Sequence, residues 1–569
     1  MAQDATEPAS AIPPRIVLAA RLGIGVAQGL ALHLLSRLVA DGFPHPWVAA
    51  NPKGFGLLVL LVTLLPLPVL LGLGHVRGRV LAAWAGVAAG LILLLGTHDL
   101  RQHGDLTMTP ASNHLLLSLI AILFIGQALV AAADAGRRPW PRYADCFEAS
   151  WRAGLQLALA GTFVLGFWLI YWIGSALFGA IGIEALNRLG GSSGFVLPVT
   201  TVLGAGGIHL ADAGWRLTLG LRNLLLGLLG WLTPVLAGLA GAFLVALPFT
   251  GLAGLGLSGD APGWLIAAAG GLVALVSAVH GDGRGAPPAL LRESARLASF
   301  VLPLLVALAA WLLARQVAGE GLTEGRVVNA ALLALLAVHA VAYPIAAARP
   351  GMRLLEPANI AGAVLALPVL AALNLPVGDP ARLEARSQRD RLLRGAAAPG
   401  EFDFHRFQRL GRDGRRVLEE LARHPDPEIA RLAGRVALPG REPARESAGA
   451  GTSLRLRAVP AGTALPAGLG EAMRAALPEC VDAECLARAF PPLGEGTWLV
   501  GPIDGRFWVM RPEGAAWRRA AIYDAPYTCP GRNLAGLEVE ARIVPPPVPD
   551  LDLAGTRFRP VLLGEEECR

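Results

Sequence analysis

The chain has 569 residues, of which 54% are hydrophobic and 16% are charged, and its mean hydropathy is +0.51; this composition excludes an ordinary soluble globular enzyme. The only lysine, Lys53, lies in no glycine-rich phosphate loop and has no serine three residues before it, which excludes a Walker A nucleotide site and disfavours lysine-based nucleophilic chemistry. The net charge of +6 falls mainly on the first 375 residues, so we interpret it as charge that orients membrane helices and not as a nucleic-acid surface.

Long apolar segments follow one another through the first 375 residues. A helix needs about 20 mostly apolar residues to cross the roughly 30 Å of hydrocarbon in a bilayer. Phe195–Leu210 is short and rich in glycine, and could be a tilted span, a re-entrant piece or a buried loop. The other predicted spans lie near Ile16–Leu38, Gly54–Leu73, Val80–Gly96, Leu115–Ala133, Leu155–Leu177, Leu224–Leu247, Gly263–Val279, Ala298–Ala314, Val327–Ala347 and Pro357–Leu375. The sequence therefore predicts an all-α polytopic membrane bundle of about eleven spans over residues 1–375, without a cleaved signal peptide.

The placement of basic residues favours a particular orientation. With eleven spans and a cytoplasmic N-terminus, 15 basic residues of the membrane domain lie on the inner side and 6 on the outer side. Leaving out Phe195–Leu210 gives 10 inside and 11 outside. Because short cytoplasmic loops collect Lys and Arg, we expect eleven spans, with the chain after residue 375 outside the cytoplasm.

The C-terminal third is predicted to have two parts. Residues 376–446 form an amphipathic helical segment, which we interpret as a bracket packed on the membrane domain, with helices at Gly414–Arg423 and Pro427–Ala437 and an N-cap at Asp426. Residues 447–569 are predicted to form a small soluble α+β domain. Its expected elements are strands at Leu454–Ala458, Thr497–Ile503, Arg506–Arg511 and Leu537–Val544, a hairpin turn at Asp504-Gly505, and a helix at Leu469–Phe490.

Four of the five cysteines lie in the C-terminal domain. They are Cys480, Cys485, Cys529 and Cys568, and an even number outside the cytoplasm indicates disulfides. Of the three possible pairings, we favour Cys480 with Cys485 and Cys529 with Cys568. The C-x4-C spacing has no second close pair and no neighbouring histidine, so we predict neither a metal site nor any other cofactor.

The first predicted span combines polar side chains with small residues. Arg21 and Gln28 share a helical stripe with Gly25, and Gly25 and Gly29 form a G-x-x-x-G motif for close helix packing. A charge within a span is either functional or paired, and we favour a packing role for Arg21. Gln127, Asn329 and His339 are isolated polar residues in other predicted spans, and each is predicted to bond a neighbouring helix. His33 is a further intramembrane polar candidate.

Two acid–imidazole pairs lie at predicted membrane boundaries. They are His209 with Asp212, and His280 with Asp282. Each pair could carry protons or simply be solvated, and we favour solvation. Elsewhere, His98 and His103 flank Asp99 in a predicted outer loop, where nothing fixes a ligand geometry. We therefore assign no catalytic residue.

Four segments in a fixed order resemble a known family. They are RLGIGVAQGLALHLL at 21–35, GLTEGRV at 321–327, ARSQRDRLLRG at 385–395 and FDFHRFQRLGRDGRRVLEEL at 402–421. Together they resemble a family of bacterial multi-pass inner-membrane proteins known only as a domain of unknown function. The resemblance covers about residues 15–435 and implies a location in the inner membrane. It implies no activity and no catalytic residues.

These observations lead to three functional hypotheses. The first is a non-enzymatic component of the bacterial envelope that lies in the lipid bilayer, has a periplasmic C-terminal domain and binds a periplasmic or membrane protein, but no nucleic acid. The second is a secondary transporter or permease, which would need a polar cavity at the midplane of the bilayer. The third, a membrane enzyme acting on a lipid-linked substrate, would need acid and base groups that converge at the outer surface.

Overall fold

The structure of the chain is a computed structural model. It describes residues 13–39, 45–103, 112–251, 260–285 and 287–437, followed by 456–459, 463–469, 485–491, 495–502, 507–513, 516–523, 551–553 and 556–558. The chain divides into two compact units, Met1–Gly440 and Arg441–Arg569.

The first unit is helical throughout its described residues. Its helices are α1 Pro14–Arg37, α2 Pro46–Ala50, α3 Pro52–Leu64, α4 Pro66–Gly72, α5 Gly78–His103, α6 Asn113–Gly136, α7 Tyr143–Ala180, α8 Ala185–Gly190, α9 Ser193–Ala213, α10 Trp215–Thr250, α11 Ala261–His280, α12 Ala289–Glu320, α13 Glu324–Ala347, α14 Leu355–Leu373, α15 Pro380–Leu393, α16 Arg406–Arg409, α17 Gly411–Leu421 and α18 Pro427–Ala437.

The described residues contain eleven helical segments that are long and apolar enough to cross a membrane. α3 and α4 together make one of them, Pro52–Gly72. The doubtful segment Phe195–Leu210 lies within α9, a helix of 21 residues. The prediction of about eleven apolar helices is therefore confirmed.

Helix boundaries follow local capping chemistry. The Ser112 hydroxyl accepts the Leu115 N–H at the start of α6, and the Thr323 hydroxyl accepts the Arg326 N–H at the start of α13. Gly321 ends α12 with a φ of 79°, a left-handed conformation that glycine adopts without a steric penalty. As a result, α12 and α13 are joined by a tight turn.

α1 packs closely on α9 through the predicted G-x-x-x-G motif. A Cβ atom on Gly29 would lie 2.3 Å from the Pro198 Cα, and one on Gly25 would lie 2.9 Å from the Thr201 carbonyl oxygen. The Thr201 hydroxyl donates to the Gly25 carbonyl at 2.8 Å. The two glycines therefore let the backbones approach, as small residues do between membrane helices.

This contact predicts an asymmetry between two glycines of α1. Gly29→Ala should destabilise the chain by about 1–3 kcal/mol, because the added methyl group meets the backbone of α9. Gly23→Ala is the matched control, since nothing lies within 4 Å of its Cβ position, and it should unfold as the wild type does. The measurement is the thermal unfolding midpoint of detergent-purified protein. Equal midpoints for the two variants would contradict the α1–α9 packing.

Three apolar clusters form the interior of the bundle. The largest joins α10 to α14 around Leu302 and Tyr343. A second joins α3, α5 and α6 around Ile92, with partly buried residues of α14 against it, and a third joins α1, α4, α7 and α9 around Ile208. The polar side chains of the bundle therefore lie among, and at the ends of, otherwise apolar helices.

The helices after the last apolar span belong to the same unit. We call α15 to α18, residues 380–437, the cap. Its core contains Phe407, Leu418 and Ala433. The Asp426 carboxylate accepts the Glu428 N–H at 2.8 Å, with Pro427 in the first helical position. The predicted N-cap is therefore confirmed.

The second unit contains a five-stranded sheet in the order β1-β2-β3-β4-β5. Its strands are β1 Leu456–Val459, β2 Cys485–Ala489, β3 Trp498–Pro502, β4 Phe507–Glu513 and β5 Ala516–Tyr523, and the separate pair is β6 Leu551–Leu553 with β7 Thr556–Phe558. β1 and β2 pair in parallel, whereas β2 to β5 pair antiparallel. The first three predicted strands coincide with β1, β3 and β4.

The predicted helix Leu469–Phe490 is wrong over its last residues. Cys485–Ala489 is a strand between β1 and β3, because pairing on both sides outweighs the helical preference of its Leu and Ala residues. β5 was not predicted. Several predictions lie outside the described residues: the strand at Leu537–Val544, the Asp504-Gly505 turn, and Cys480, Cys529 and Cys568. The disulfides therefore stay predictions.

Candidate functional site

Polar side chains collect at both ends of α5. One cluster surrounds His75, just before the helix, and the other surrounds His98 near its last turn. At 1.5 Å per residue the two are roughly 35 Å apart. The cluster at the start of α5 contains two of the predicted site residues, Arg21 and Asp212.

Arg21 is the most buried charged residue of the bundle, with an exposure of 0%. Its guanidinium donates to the Leu70 carbonyl at 3.2 Å, to the Leu73 carbonyl at 2.9 Å and to the Asp212 carboxylate at 2.5 Å. The first predicted span is therefore joined to the end of α4 and to α9. This pairing supports the packing interpretation of Arg21.

Asp212 is not the solvated boundary group that we expected. Besides Arg21, it accepts hydrogen bonds from His75 Nε2 at 3.0 Å and from the Gln156 amide. The Arg152 guanidinium lies 2.9 Å from His75 Nδ1 and 3.9 Å from the centroid of the Trp215 ring. Because arginine can only donate, Nδ1 must accept, and His75 gives its proton to Asp212. The pairing of these groups explains why a carboxylate can be placed there.

The other predicted polar residues are dispersed. Gln28 donates to the Val62 and Thr63 carbonyls, His33 pairs with Ser193, and His339 bonds the Leu335 carbonyl of its own helix. Within the described residues, Gln127 Oε1 and His209 Nδ1 are buried without a hydrogen-bond partner. His280 Nε2 lies 3.7 Å from Glu356, while Asp282 accepts the Arg284 N–H. These residues do not converge on one site.

The cluster at the end of α5 surrounds a cavity of about 310 Å³, which we call the cap cavity. The last turn of α5 meets there the N-terminal ends of α6, α13 and α15 and the C-terminal end of α14. Its polar lining residues are His98, Asp99, Gln102, Ser112, His114, Glu324, Asn374 and Asp379. The volume is at the lower end of the usual range for small-molecule pockets, about 300–1,000 Å³.

Asp379 connects the cap to α5. One carboxylate oxygen accepts the Ala381 N–H at 2.9 Å and the Arg382 N–H at 3.2 Å, which caps α15. The other accepts His98 Nε2 at 2.7 Å and Gln102 Nε2 at 2.8 Å. Burial alone would raise the pKa of Asp379, but these donors outweigh it and lower its pKa below the ordinary value. The carboxylate is therefore ionised at neutral pH.

Asp99 and His114 also line the cavity. Asp99 accepts the Ser112 hydroxyl at 2.5 Å and the Ser112 N–H at 3.0 Å. The Nε2 atom of His114 is buried without a hydrogen-bond partner in the part of the chain that the structure describes.

The cap also holds the turn between α12 and α13. Gln388 donates to the Glu320 and Leu322 carbonyls, both at 2.9 Å, and the Ser387 hydroxyl accepts the Leu322 N–H at 2.9 Å. Glu384 is buried, and accepts the Glu324 N–H at 2.5 Å and the Arg406 guanidinium. Two of the segments that carried the family resemblance, 321–327 and 385–395, therefore contact each other here, and Glu384 joins the first of them to Arg406 of a third.

Asp379, Glu384 and Gln388 are site residues that were not predicted from the sequence. Asp379-Pro380 repeats the Asp426-Pro427 pattern of an N-cap followed by proline, so its capping role could have been found. His98 and Asp99 were assigned to a loop, whereas both lie on α5. No local pattern indicates that His98 meets a carboxylate 281 positions away. No protein-family model, curated protein or solved structure matches the chain.

Proposed function

We propose that this chain is a multi-pass protein of the bacterial inner membrane that carries its C-terminal domain in the periplasm. There it acts as a non-enzymatic, partner-binding component of the envelope. The observation that supports this function best is the attachment of the cap. The cap is fixed to the bundle by side chain-to-backbone hydrogen bonds, and the C-terminal unit follows it directly in the chain.

The attachment is polar and extensive. Ser387, Gln388 and Arg391 of α15 together make five hydrogen bonds to the backbone of residues 319–322. A hydrogen bond contributes about 0.5–1.5 kcal/mol, and a bond to a charged group contributes about 1.5–3 kcal/mol. Contacts of Asp379 and Gly411 with Gln102 add α5 to the same assembly. These bonds make the cap part of the membrane domain, from which the C-terminal unit continues in the chain.

Transport is less well supported. Alternating access requires one part of a bundle to move against another around a central site. The cap joins α5 to the α12–α13 turn, which opposes such movement at that end, and the predicted intramembrane polar residues do not share a site. For an enzyme, His98 and Asp379 would be the candidate acid–base pair, but the Asp379 carboxylate is already used by four donors.

The location can be tested with reporters fused after Gly440. We expect alkaline phosphatase to be active there and a fluorescent protein that folds only in the cytoplasm to stay dark. The same fusions after Gly136, at the end of α6, should give the reverse result, because four spans precede that position. An active cytoplasmic reporter after Gly440 would overturn the proposed orientation.

Partner binding can be tested by photo-cross-linking in intact cells. A photoreactive amino acid at Leu465, which is 36% exposed in the second unit, should give a discrete adduct with an envelope protein. The same group at Leu165 of α7, 72% exposed on an apolar helix, is the control and should react with lipid. If Leu465 and other exposed positions of the second unit gave no protein adduct, the partner-binding role would be rejected.

A further inference from the structure

We infer that the loop between α6 and α7, together with the first turn of α5, binds the phosphate headgroups of anionic phospholipids. We call this surface the basic patch. It consists of Arg79, Arg137, Arg138, Trp140 and Arg142. The patch belongs to the membrane domain and not to the C-terminal unit. Lipid binding there therefore requires the proposed location in a membrane, but neither the proposed orientation nor the proposed partner.

The loop of the basic patch lies at a membrane boundary. Residues 137–142 join α6, which ends at Gly136, to α7, which begins at Tyr143. Both helices are long and apolar enough to cross a membrane. Because unpaired backbone groups are not tolerated in hydrocarbon, a short loop between two spans lies where the hydrocarbon ends. The side chains of this loop are therefore at the depth of the lipid headgroups.

The beginning of α5 is fixed to the same end of α6. The Asp134 carboxylate, in the last turn of α6, accepts the Arg77 N–H at 2.8 Å and the Arg77 guanidinium at 2.6 Å. Arg79 follows two residues later, in the first turn of α5. The pairing of Arg77 with Asp134 therefore brings Arg79 to the same membrane boundary as the loop.

The basic patch has more positive charge than the neighbouring acids can neutralise. Residues 77–79 and 134–145 contain five arginines and two aspartates. Arg77 and Asp134 pair with each other, which leaves Asp145 as the other acid of these segments. The four arginines of the patch are exposed, and none of them forms an ion pair within the described part of the chain. Their charges are therefore free for an anion, and guanidinium groups bind phosphate oxygens in parallel pairs of hydrogen bonds.

The backbone conformation of Arg137 indicates that its side chain has a role. Arg137 ends α6 in the left-handed region, with a φ of 48° and a ψ of 40°. The N–H groups of Arg137 and Arg138 bond the Asp134 and Ala133 carbonyls. Glycine is the usual residue at such a helix end, because it has no Cβ atom to clash. An exposed arginine adds strain there without adding to the core, and phosphate binding by its guanidinium explains its presence.

An exposed tryptophan lies between the arginines of the loop. Trp140 is 69% exposed and is flanked by Pro139 and Pro141, which restrict the backbone on both sides of it. Tryptophan is enriched at the headgroup level of membranes, where its ring contacts apolar chains and its N–H group contacts polar groups. A free phosphate ion would leave the indole without an apolar partner. The combination of Trp140 with arginines therefore favours a phospholipid as the source of the phosphate.

The test measures lipid binding to the full-length protein in detergent by native mass spectrometry. Dioleoylphosphatidylglycerol is the anionic probe, dioleoylphosphatidylcholine is the control with the same acyl chains and no net charge, and inorganic phosphate is the competitor. We expect the anionic lipid to bind at least about tenfold more tightly than the zwitterionic lipid, and excess phosphate not to displace it. Equal binding of the two lipids would overturn the inference and leave an acidic protein as the partner of the patch. Displacement by inorganic phosphate would overturn the lipid as the ligand.

A double variant assigns the binding to the basic patch. Arg137→Gln combined with Arg138→Gln should weaken the tightest binding of the anionic lipid by about 25-fold, since one basic residue near an anionic membrane surface contributes a factor of about five. The matched control is Arg37→Gln combined with Arg188→Gln, which removes two exposed arginines near the ends of other spans. The control should bind the lipid as the wild type does. Equal losses in the two double variants would overturn the assignment to the patch.

Arg137→Gly separates lipid binding from folding. Glycine adopts the left-handed conformation without a steric penalty, so the thermal midpoint of this variant should be no lower than that of the wild type. Its affinity for dioleoylphosphatidylglycerol should still fall about fivefold. Unchanged lipid affinity in Arg137→Gly would overturn the role of the arginine. Recovery of the wild-type chain in membranes washed with alkaline carbonate tests the membrane location separately, so a failure of lipid binding can be distinguished from a failure of the proposed location.

Discussion

Asp212→Ala is expected to lose about 3–5 kcal/mol of stability, because removing one partner of a buried ion pair leaves the other charge uncompensated. The charge left behind is that of Arg21, which is fully buried and would keep only the Leu70 and Leu73 carbonyls as acceptors. His75 and Gln156 would lose their acceptor as well. The substitution therefore disturbs several helices at once, since the network joins α1, α4, α7 and α9.

The measurement is unfolding in detergent, followed by fluorescence-detected size exclusion after heating. Arg21→Met combined with Asp212→Ala is the informative partner variant. It removes both charges, so it should be more stable than Asp212→Ala alone. The exposed pair of Arg284 and Asp282 supplies the control, because Asp282→Ala should cost at most about 1 kcal/mol. A wild-type midpoint for Asp212→Ala would contradict a stabilising role for the network.

The success of the sequence in predicting helices has a local cause. A membrane span can be recognised from about twenty consecutive apolar residues. A helix N-cap can be recognised from the adjacent residues Asp426 and Pro427. The close helix packing at Gly25 and Gly29 could also be predicted, because residues four positions apart lie on the same face of a helix. The motif did not predict which helix packs against α1, and the structure shows that it is α9.

The two polar clusters depend on contacts between residues that are far apart in the sequence. No local sequence pattern predicts such contacts. Arg21 meets Asp212 across 191 positions and His98 meets Asp379 across 281 positions. Asp212 was interpreted as solvated because it lies near a predicted boundary, yet its contacts with Arg21 of α1, Gln156 of α7 and His75 decide its environment. The error at Cys485–Ala489 has the same origin, since neighbouring strands, and not local preference, set its conformation.

The attachment of the cap gives the second large expected effect. Glu384 is buried and accepts hydrogen bonds from the Glu324 N–H and from Arg406. Glu384→Ala would leave both donors without their acceptor, at a cost of about 2–3 kcal/mol. Because the residue lies in α15 and not in the bundle core, we expect local opening of the cap and not global unfolding.

Hydrogen exchange can separate these two outcomes. Amides of α15 and α17 should exchange roughly 30- to 150-fold faster in Glu384→Ala, the factor that corresponds to about 2–3 kcal/mol, while amides of α11 keep their wild-type rates. Glu420→Ala is the matched control: its side chain is 55% exposed, and its partner Arg389 can turn to water. If α15 exchanged at the wild-type rate in Glu384→Ala, Glu384 would not hold the cap to the bundle, and the attachment of the cap could no longer support the proposed function.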